Sequence, residues 1–293
     1  MVKSNFTVNC EYVALRIACG VVNAIPYRVA LFLAKGLAGI AFAVGFKRRR
    51  TLDRIRSVFP AMDGREAKRV AVSSLANVLQ TAVEMIRAPK LTRGWIDEYV
   101  VGGEKYSGLL RDITDRGKGA VIMVPHSGNW YMAAWTMAAY GLPLFAIAAR
   151  QRNPKIDAWM NRQYGSIEVL DRNRRDTLGK IRRHLADGRA FAILPDLRVR
   201  KRDVEVDFLG GKANVSHAGA MFAVHAGAPI VVAAMTRENG KHVINHLATL
   251  EPEGRTAADL TREAMRLLSD FVMAHPDNWY WYNKRWILEP PSM

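Results

Sequence analysis

Cysteine is nearly absent: Cys10 and Cys19 are the only two in 293 residues, with eight residues between them. That spacing makes neither a CxxC metal or redox pair nor a disulfide framework, so a reducing, cytosolic setting is the expectation. Long hydrophobic runs are missing as well. The apolar stretch from Val13 to Phe46 is interrupted by Arg16, Arg28 and Lys35 and broken at Pro26, and no uncharged segment reaches the roughly 18–20 residues that span a bilayer. It meets Lys47-Arg48-Arg49-Arg50 rather than a small-residue cleavage site, which argues against a signal peptide. No serine sits in GxSxG, and there is no HExxH and no Cys/His ligand set, which weakens serine-hydrolase and zinc-enzyme readings. Gly117-Lys118-Gly119 and Gly210-Gly211-Lys212 lack the further residues of dinucleotide and phosphate loops. No repeat or low-complexity tract occurs.

Acidic charge is also scarce. Lys and Arg number 43 against 27 Asp and Glu, a net charge of +16, and such a surface attracts nucleic acid, anionic lipid or an acidic protein. Nothing resembling a helix-turn-helix, zinc finger or base-stacking sheet accompanies the charge, so nucleic acid is not expected as a partner. The basic residues concentrate in two places: Lys47 to Arg56, and residues 150–202, where fifteen Lys or Arg stand against six Asp or Glu. The first cluster directly follows the interrupted apolar stretch. Two short helices lying on an anionic leaflet, with Lys47–Arg50 at the headgroups, fit that order; a helix pair docked on the protein's own core is the alternative.

Half of the residues, 49%, are hydrophobic, enough for a sizeable core. Residues 64–88 carry apolar side chains at helical spacing. Beyond residue 100 short apolar runs (Ala120–Val124, Leu144–Ala149, Ile167–Leu170, Ala190–Leu194, Pro229–Ala234) read as buried strands. Between them Asn129–Tyr140, Pro154–Tyr164, Arg174–Ala186 and Ser216–Ala226 read as helices. Asn129 and Ser216 are expected N-caps, Gly141, Gly165, Gly188 and Gly227 are expected helix ends, and Pro276 follows the last helix. Val204, Val206 and Phe208 alternate with Asp203, Glu205 and Asp207 as in a half-buried strand, and Val243–Leu250 is the expected antiparallel partner near an edge. The fold class is α/β: a mixed, mostly parallel sheet flanked by helices. The expected division is residues 1–50 as membrane-associating helices and 51–293 as the enzymatic domain.

The junction Val124-Pro125-His126-Ser127-Gly128-Asn129-Trp130 stands out. A strand ends at Pro125, a tight polar turn follows and a helix begins, so His126 falls at the carboxyl edge of the sheet, where α/β proteins form clefts. Histidine suits removal of a hydroxyl proton near neutral pH, and amides at a helix start suit an anion.

The Pro125–Trp130 turn resembles the signature of the bacterial lipid A biosynthesis acyltransferases, a family that includes the mycobacterial phosphatidylinositol mannoside acyltransferase branch. Arg48–Pro60 is similar to that family's Arg-rich run ending in Phe-Pro, Gly103-Glu104 to its Gly-x-Glu step, and Asp277–Arg285 to its aromatic, basic C-terminal motif. The resemblance implies a glycerolipid-acyltransferase-like fold and an enzyme peripheral or monotopic at the cytoplasmic face of the inner membrane. It would move a fatty acyl group from an acyl carrier protein or coenzyme A thioester to a hydroxyl of a lipid acceptor, with no metal or redox cofactor and no acyl-enzyme. His126 is the implied base. In the family a carboxylate stands five residues beyond the histidine; here that position is Tyr131, which cannot balance an imidazolium charge at pH 7.

Another carboxylate is therefore expected. Glu205 is the first candidate, because Val204-Glu205-Val206 resembles the strand of the mannoside branch whose glutamate pairs with the histidine. Asp196, at a strand end after Leu194-Pro195, is the second. Ser127, Gly128, Asn129, Tyr131 and Arg198 are expected around the substrate. Arg150 and Arg162, in a stretch that resembles the family's Arg-x-x-Asn-Pro…Arg-x-x-Gly, are expected to hold a phosphate or the developing oxyanion. A non-catalytic lipid-binding relative is the rival reading, motivated by Tyr131.

Overall fold

The computed structural model describes residues 4–289. Pro26 breaks the apolar N-terminal stretch into helices α1 (Asn5–Ala24) and α2 (Tyr27–Ala43), capped by Ser4 and entered at Pro26. Helices α3 (Arg48–Val58), α4 (Gly64–Arg87) and α5 (Arg93–Tyr99) follow. Asp63 caps α4 through the Glu66 amide, so the helix expected over 64–88 is present almost residue for residue. The remainder alternates strand and helix: β1 (Val100–Val101), α6 (Gly103–Ile113), β2 (Ala120–Met123), α7 (Trp130–Ala139), β3 (Leu144–Ala148), α8 (Pro154–Gln163), β4 (Glu168–Asp171), α9 (Thr177–Ala186), β5 (Ala190–Ile193), β6 (Val204–Phe208), β7 (Gly211–Val215), α10 (Ala218–Ala226), β8 (Ile230–Glu238), β9 (Lys241–Leu250) and α11 (Ala257–Ala274).

Seven strands form one sheet in the order β1-β9-β8-β2-β5-β3-β4. All neighbours are parallel except β8 and β9, so the expected mixed, mostly parallel sheet is what forms. Because side chains alternate across a strand, β2 sends Val121 and Met123 into one core with Ile181, Phe222 and Leu268 of α9, α10 and α11. Ile122 enters a second core with Leu110, Met132 and Trp135 of α6 and α7. The sheet is thus covered on both faces, as parallel sheets require.

The hairpin β6–β7 stands apart as a two-stranded sheet; β7 was not legible as a strand. Ser216 precedes the N-cap, His217, and its hydroxyl accepts the Ala218 amide. Gly141, Gly165, Gly188 and Gly227 all take positive φ at helix ends, as expected.

The aromatic segment after α11 is irregular: among the described residues its one strand-type contact is a bridge between Trp279 and Ser127. Its backbone is held by side chains of α3 and α4. Ser74 donates to the Trp279 carbonyl, Asn77 to that of Asp277, and Arg54 to those of Trp281 and Asn283. Trp279, Trp281 and Tyr282 are buried, so this segment is core.

The N-terminal helices serve two surfaces. Ala30, Ala34, Ala38 and Phe42 of α2 are buried on the protein, Ala30 and Ala34 beside Val83 of α4, while Phe6, Ile17, Phe32, Leu37 and Ile40 face outward. No single helix among the described residues is long and apolar enough to cross a membrane; α2 and α3 would qualify only together, and they are bent by 94°.

Candidate active site

Strands β2 and β5 are neighbours in parallel register, with Met123 opposite Ile193. Each runs into a proline and then a polar residue, Pro125-His126 and Pro195-Asp196. The functional side chains therefore leave the sheet three residues beyond one paired position and meet. His126 Nδ1 lies 2.7 Å from Asp196 Oδ1, and the His126 backbone N–H donates to Oδ2 at 2.7 Å. The indole N–H of Trp279 donates to the same oxygen at 2.8 Å. Side-chain exposure is 18% for His126 and 0% for Asp196. Burial alone would raise the Asp196 carboxyl; the imidazole charge and the donated hydrogen bonds override it and hold the group below its ordinary value. An ionised carboxylate only accepts, so Nδ1 donates to Asp196 and Nε2 is the ring nitrogen outside that contact.

Glu205 is not in this site, which corrects the first-choice pairing. Strand β6 buries Val204, Val206 and Phe208 and exposes Glu205 and Asp207, so the pleat that fills the core turns the glutamate to solvent. The carboxylate that meets His126 is Asp196. Tyr131 is no partner either: its ring stacks on Trp135 and Tyr164 at 5.8 and 6.1 Å between centroids, and burial raises its hydroxyl above the ordinary value.

The turn itself is locked. Ser127 is fully buried with its hydroxyl on the Met235 carbonyl. Gly128 has φ +54, and a Cβ there would stand 2.7 Å from the Met235 oxygen, so only glycine fits. Its N–H donates to the Asn278 carbonyl, while Tyr280 N–H donates to the carbonyl of His126. Asn129 caps α7 by accepting from Met132 N–H and donates from Nδ2 to Glu84 Oε2 at 2.6 Å. The amides of His126, Ser127 and Gly128 are thus spent inside the protein, and the amides in the first turn of α7, at Trp130 and Tyr131, are those a helix start directs outward.

Arg150 pairs with Asp171 at 3.2 Å and Asp157 at 3.9 Å; Arg162 is exposed in the last turn of α8 and acts electrostatically on Tyr12 of α1. Neither is brought to His126, contrary to expectation. Arg198 lies against Glu289 at 3.6 Å, beside the C-terminal segment.

Two features were missed in the sequence. Glu84 is completely buried and gathers Tyr27, Asn129, His242 and both terminal nitrogens of Arg237, the last at 2.8 Å each. Burial opposes its ionisation, but His242 and Arg237 hold its carboxyl far below the usual range. The signal was an acid between Val83 and Met85, on the face of α4 that carries the buried residues. The second is a narrow apolar cavity between the sheet and helices α6 and α7, of about 60 Å³, lined by Tyr106, Ile122, Trp130, Ala134, Met137 and Ile244 among others. Trp130 joins it to the site, its ring edge-on to His126 at 4.9 Å. Among the described residues no group of three or more His, Cys, Asp or Glu is gathered as a metal would need.

A histidine backed by a buried carboxylate thus stands at the carboxyl edge of a mostly parallel sheet, beside an apolar cavity. The family model for bacterial lipid A biosynthesis acyltransferases matches residues 6–287, and the chain belongs to that family: it is an acyltransferase of lipid biosynthesis. The phosphatidylinositol mannoside acyltransferase of Mycolicibacterium smegmatis is 26% identical over 254 residues, 82% of this chain and 79% of that one. That of Mycobacterium tuberculosis is 25% identical over 182 residues, 59% and 56% of the two chains. Among solved structures, the 1-acyl-sn-glycerophosphate acyltransferase PlsC of Thermotoga maritima aligns with 15% identity and a TM-score of 0.41, covering 87% of this chain and 99% of that one.

Proposed function

We propose that this acyltransferase uses an acyl thioester, of acyl carrier protein or coenzyme A, to acylate a hydroxyl of an anionic glycolipid at the cytoplasmic face of the inner membrane. The observation that carries the reading is the contact of His126 Nδ1 with Asp196 Oδ1 at 2.7 Å beside an apolar cavity.

In this mechanism the acyl chain enters the cavity past Trp130, and the thioester carbonyl stays at the His126 edge. Nε2 takes the acceptor hydroxyl proton as the oxygen attacks the carbonyl carbon. Asp196 stabilises the imidazolium and keeps the ring oriented, the role of the acid in a Ser-His-Asp triad. The tetrahedral oxyanion is met by the amides of Trp130 and Tyr131 at the start of α7. Collapse breaks the carbon–sulfur bond, and the departing thiolate takes the proton back from Nε2. Attack is direct, so no acyl-enzyme forms, and no step runs through a metal or redox group.

The names of the mycobacterial relatives support a glycosylated phosphoinositide as the acceptor class. The outward apolar face of α1 and α2, followed by Lys47–Arg50, supports attachment to an anionic leaflet. The non-catalytic alternative drew on the missing carboxylate at Tyr131, and Asp196 removes that motive. The test is to incubate the detergent-purified protein with acyl carrier protein and coenzyme A thioesters and a total lipid extract, and to read acylated lipid by mass spectrometry. A new acyl ester that depends on protein and on His126 is expected; no acylated species with either donor would overturn the proposal.

A further inference from the structure

We propose that the concave corner between α2 and α3 is a binding subsite for the phosphate of the acceptor lipid's headgroup, an inference that rests on the acyl-transfer reading above. The 94° bend between the two helices opens a shallow bowl of about 770 Å³ lined by Lys47, Arg48, Arg49, Arg50, Arg54 and Trp286, with Asp53 the one carboxylate in its wall. Among the described residues no carboxylate lies within ion-pair distance of Lys47, Arg48, Arg49 or Arg50. The bowl is therefore a concentration of uncompensated positive charge.

Two of these cations are fixed in place by neutral groups. Arg54 is buried, its Nη1 donates to the carbonyls of Trp281 at 3.0 Å and Asn283 at 2.6 Å, and its guanidinium stacks 4.8 Å from the Trp286 ring. Lys47 takes the left-handed conformation at φ 49, uncommon for a residue with a side chain, and its ammonium donates to the Tyr282 carbonyl at 3.3 Å. Carbonyls orient these charges without cancelling them, and Glu289, which acts electrostatically on Arg54, makes no ion pair with it. Burial first, and then the like charge of Arg50, lowers both groups, Arg54 to about 10. Cations held against one another in this way favour an anion that would relieve the repulsion.

Position selects the source of that anion. Tyr280 joins the bowl to the site: its N–H donates to the His126 carbonyl, and its phenol lies within electrostatic reach of Arg50 and Arg54. At its α2 end the bowl's wall includes Gly45, whose chain neighbours Val44 and Phe46 are exposed apolar side chains. A membrane lipid has its phosphate between its hydrocarbon tails and its headgroup hydroxyls, the order in which the apolar face, the bowl and His126 follow. The apolar cavity for the donor chain opens on the opposite face of the sheet, with α6 and α7, whereas α3 belongs to the core with α9–α11. The phosphate served by the bowl is accordingly the acceptor's, not the donor's.

The test is direct binding, which needs no turnover. Glycerophosphoinositol, a soluble phosphodiester, is titrated calorimetrically into the full chain in detergent, with inositol and coenzyme A as comparison ligands. Glycerophosphoinositol binding that inositol does not reproduce, and that R49E/R50E weakens by at least about tenfold, is expected from loss of charge-assisted contacts. R49K/R50K should retain most of it. In assays R49E/R50E should raise the KM for lipid acceptor and leave that for the thioester unchanged. Unaltered glycerophosphoinositol binding in R49E/R50E overturns the subsite, even where vesicle binding falls, since the charges would then act only diffusely. Coenzyme A binding lost in R49E/R50E while glycerophosphoinositol binding persists overturns it in favour of the donor. Normal binding in a protein that acylates nothing would sink the acyl-transfer reading and leave the phosphate subsite standing.

Discussion

Asp196 presents one carboxylate oxygen to the imidazole of His126 and the other to the backbone N–H of the same residue, each at 2.7 Å. The carboxylate thus fixes both the ring and the turn that carries it. A third donor, the Trp279 indole, comes from the far end of the chain, so the orientation of the histidine depends on packing of the C-terminal aromatic segment against α4.

Replacing His126 with alanine should lower turnover by at least about 10²-fold, the size of a lost general base. Asp196→Asn keeps the shape but removes the charge and should cost a similar factor. The double variant should lose little more, because the two residues act as one unit. Glu205→Gln, on the outward face of β6, should leave turnover within about twofold in line with an exposed surface change. Steady-state rates with circular dichroism as a check on folding decide this; a silent Asp196→Asn would remove the proposed pair.

Tyr131→Phe should be nearly silent. The hydroxyl interacts with Trp130 and Tyr164, and the ring contacts with Trp135 and Tyr164 survive the change. A large loss of turnover in a folded Tyr131→Phe protein would assign that hydroxyl a part in the reaction.

Much of this arrangement was legible in the sequence. The strands, their flanking helices and the His126 turn follow from apolar runs bounded by Pro, Gly and Asn. The partner was legible only as a second candidate: the runs Ala120–Val124 and Ala190–Leu194 are each followed by proline and a polar residue, which would meet only if the two strands were parallel neighbours. What the single sequence withholds is strand order, since nothing local says that β5 lies beside β2. The alternation Val204, Val206, Phe208 also pointed Glu205 away from the core, against the family resemblance, and the pleat decided the matter. The Glu84 cluster was hidden for another reason. Its members come from five separate parts of the chain, and burial of a charge is intelligible only once Arg237 and His242 stand beside it.

Glu84→Gln tests that cluster through stability. Removing the charge leaves the Arg237 guanidinium, 9% exposed, without its counter-ion, which costs about 3–5 kcal/mol in buried pairs. The carboxyl is held below its unfolded value, so its stabilisation is complete above the ordinary carboxylate range near pH 4 and is lost as pH falls through the lower folded value. Urea denaturation should show a large gap between wild type and Glu84→Gln at pH 7 that narrows at pH 3. A gap that stays constant with pH would mean the carboxylate is not the stabilising species.

Chain-length preference should follow the apolar cavity. Ala134 lines it on α7, one turn beyond Trp130, and Ala134→Phe fills part of the space that the acyl chain would take. Each methylene that no longer enters loses about 0.8 kcal/mol of burial, so long-chain thioesters should be penalised more than short ones. Competition among donors of mixed length, read by product mass, checks this; an unchanged length profile would place the acyl chain elsewhere.

Membrane attachment can be tested without deleting α1 and α2, whose inner faces are part of the core. Phe32 and Ile40 are 74% and 63% exposed, so Phe32→Gln and Ile40→Gln remove apolar surface left open among the described residues. Thermal stability should change little, since surface substitutions of this kind stay within about 0.5 kcal/mol. Co-sedimentation with vesicles containing phosphatidylglycerol should weaken in the double variant at low salt. It should weaken separately in wild type as salt rises, because the Lys47–Arg50 contribution is screened over a Debye length of about 8–10 Å. The two effects differ in kind: salt acts on charge and leaves the apolar term, so the double variant at high salt should sediment least of all. Sedimentation of the double variant indistinguishable from wild type at every salt concentration would show that this outward face does not meet lipid.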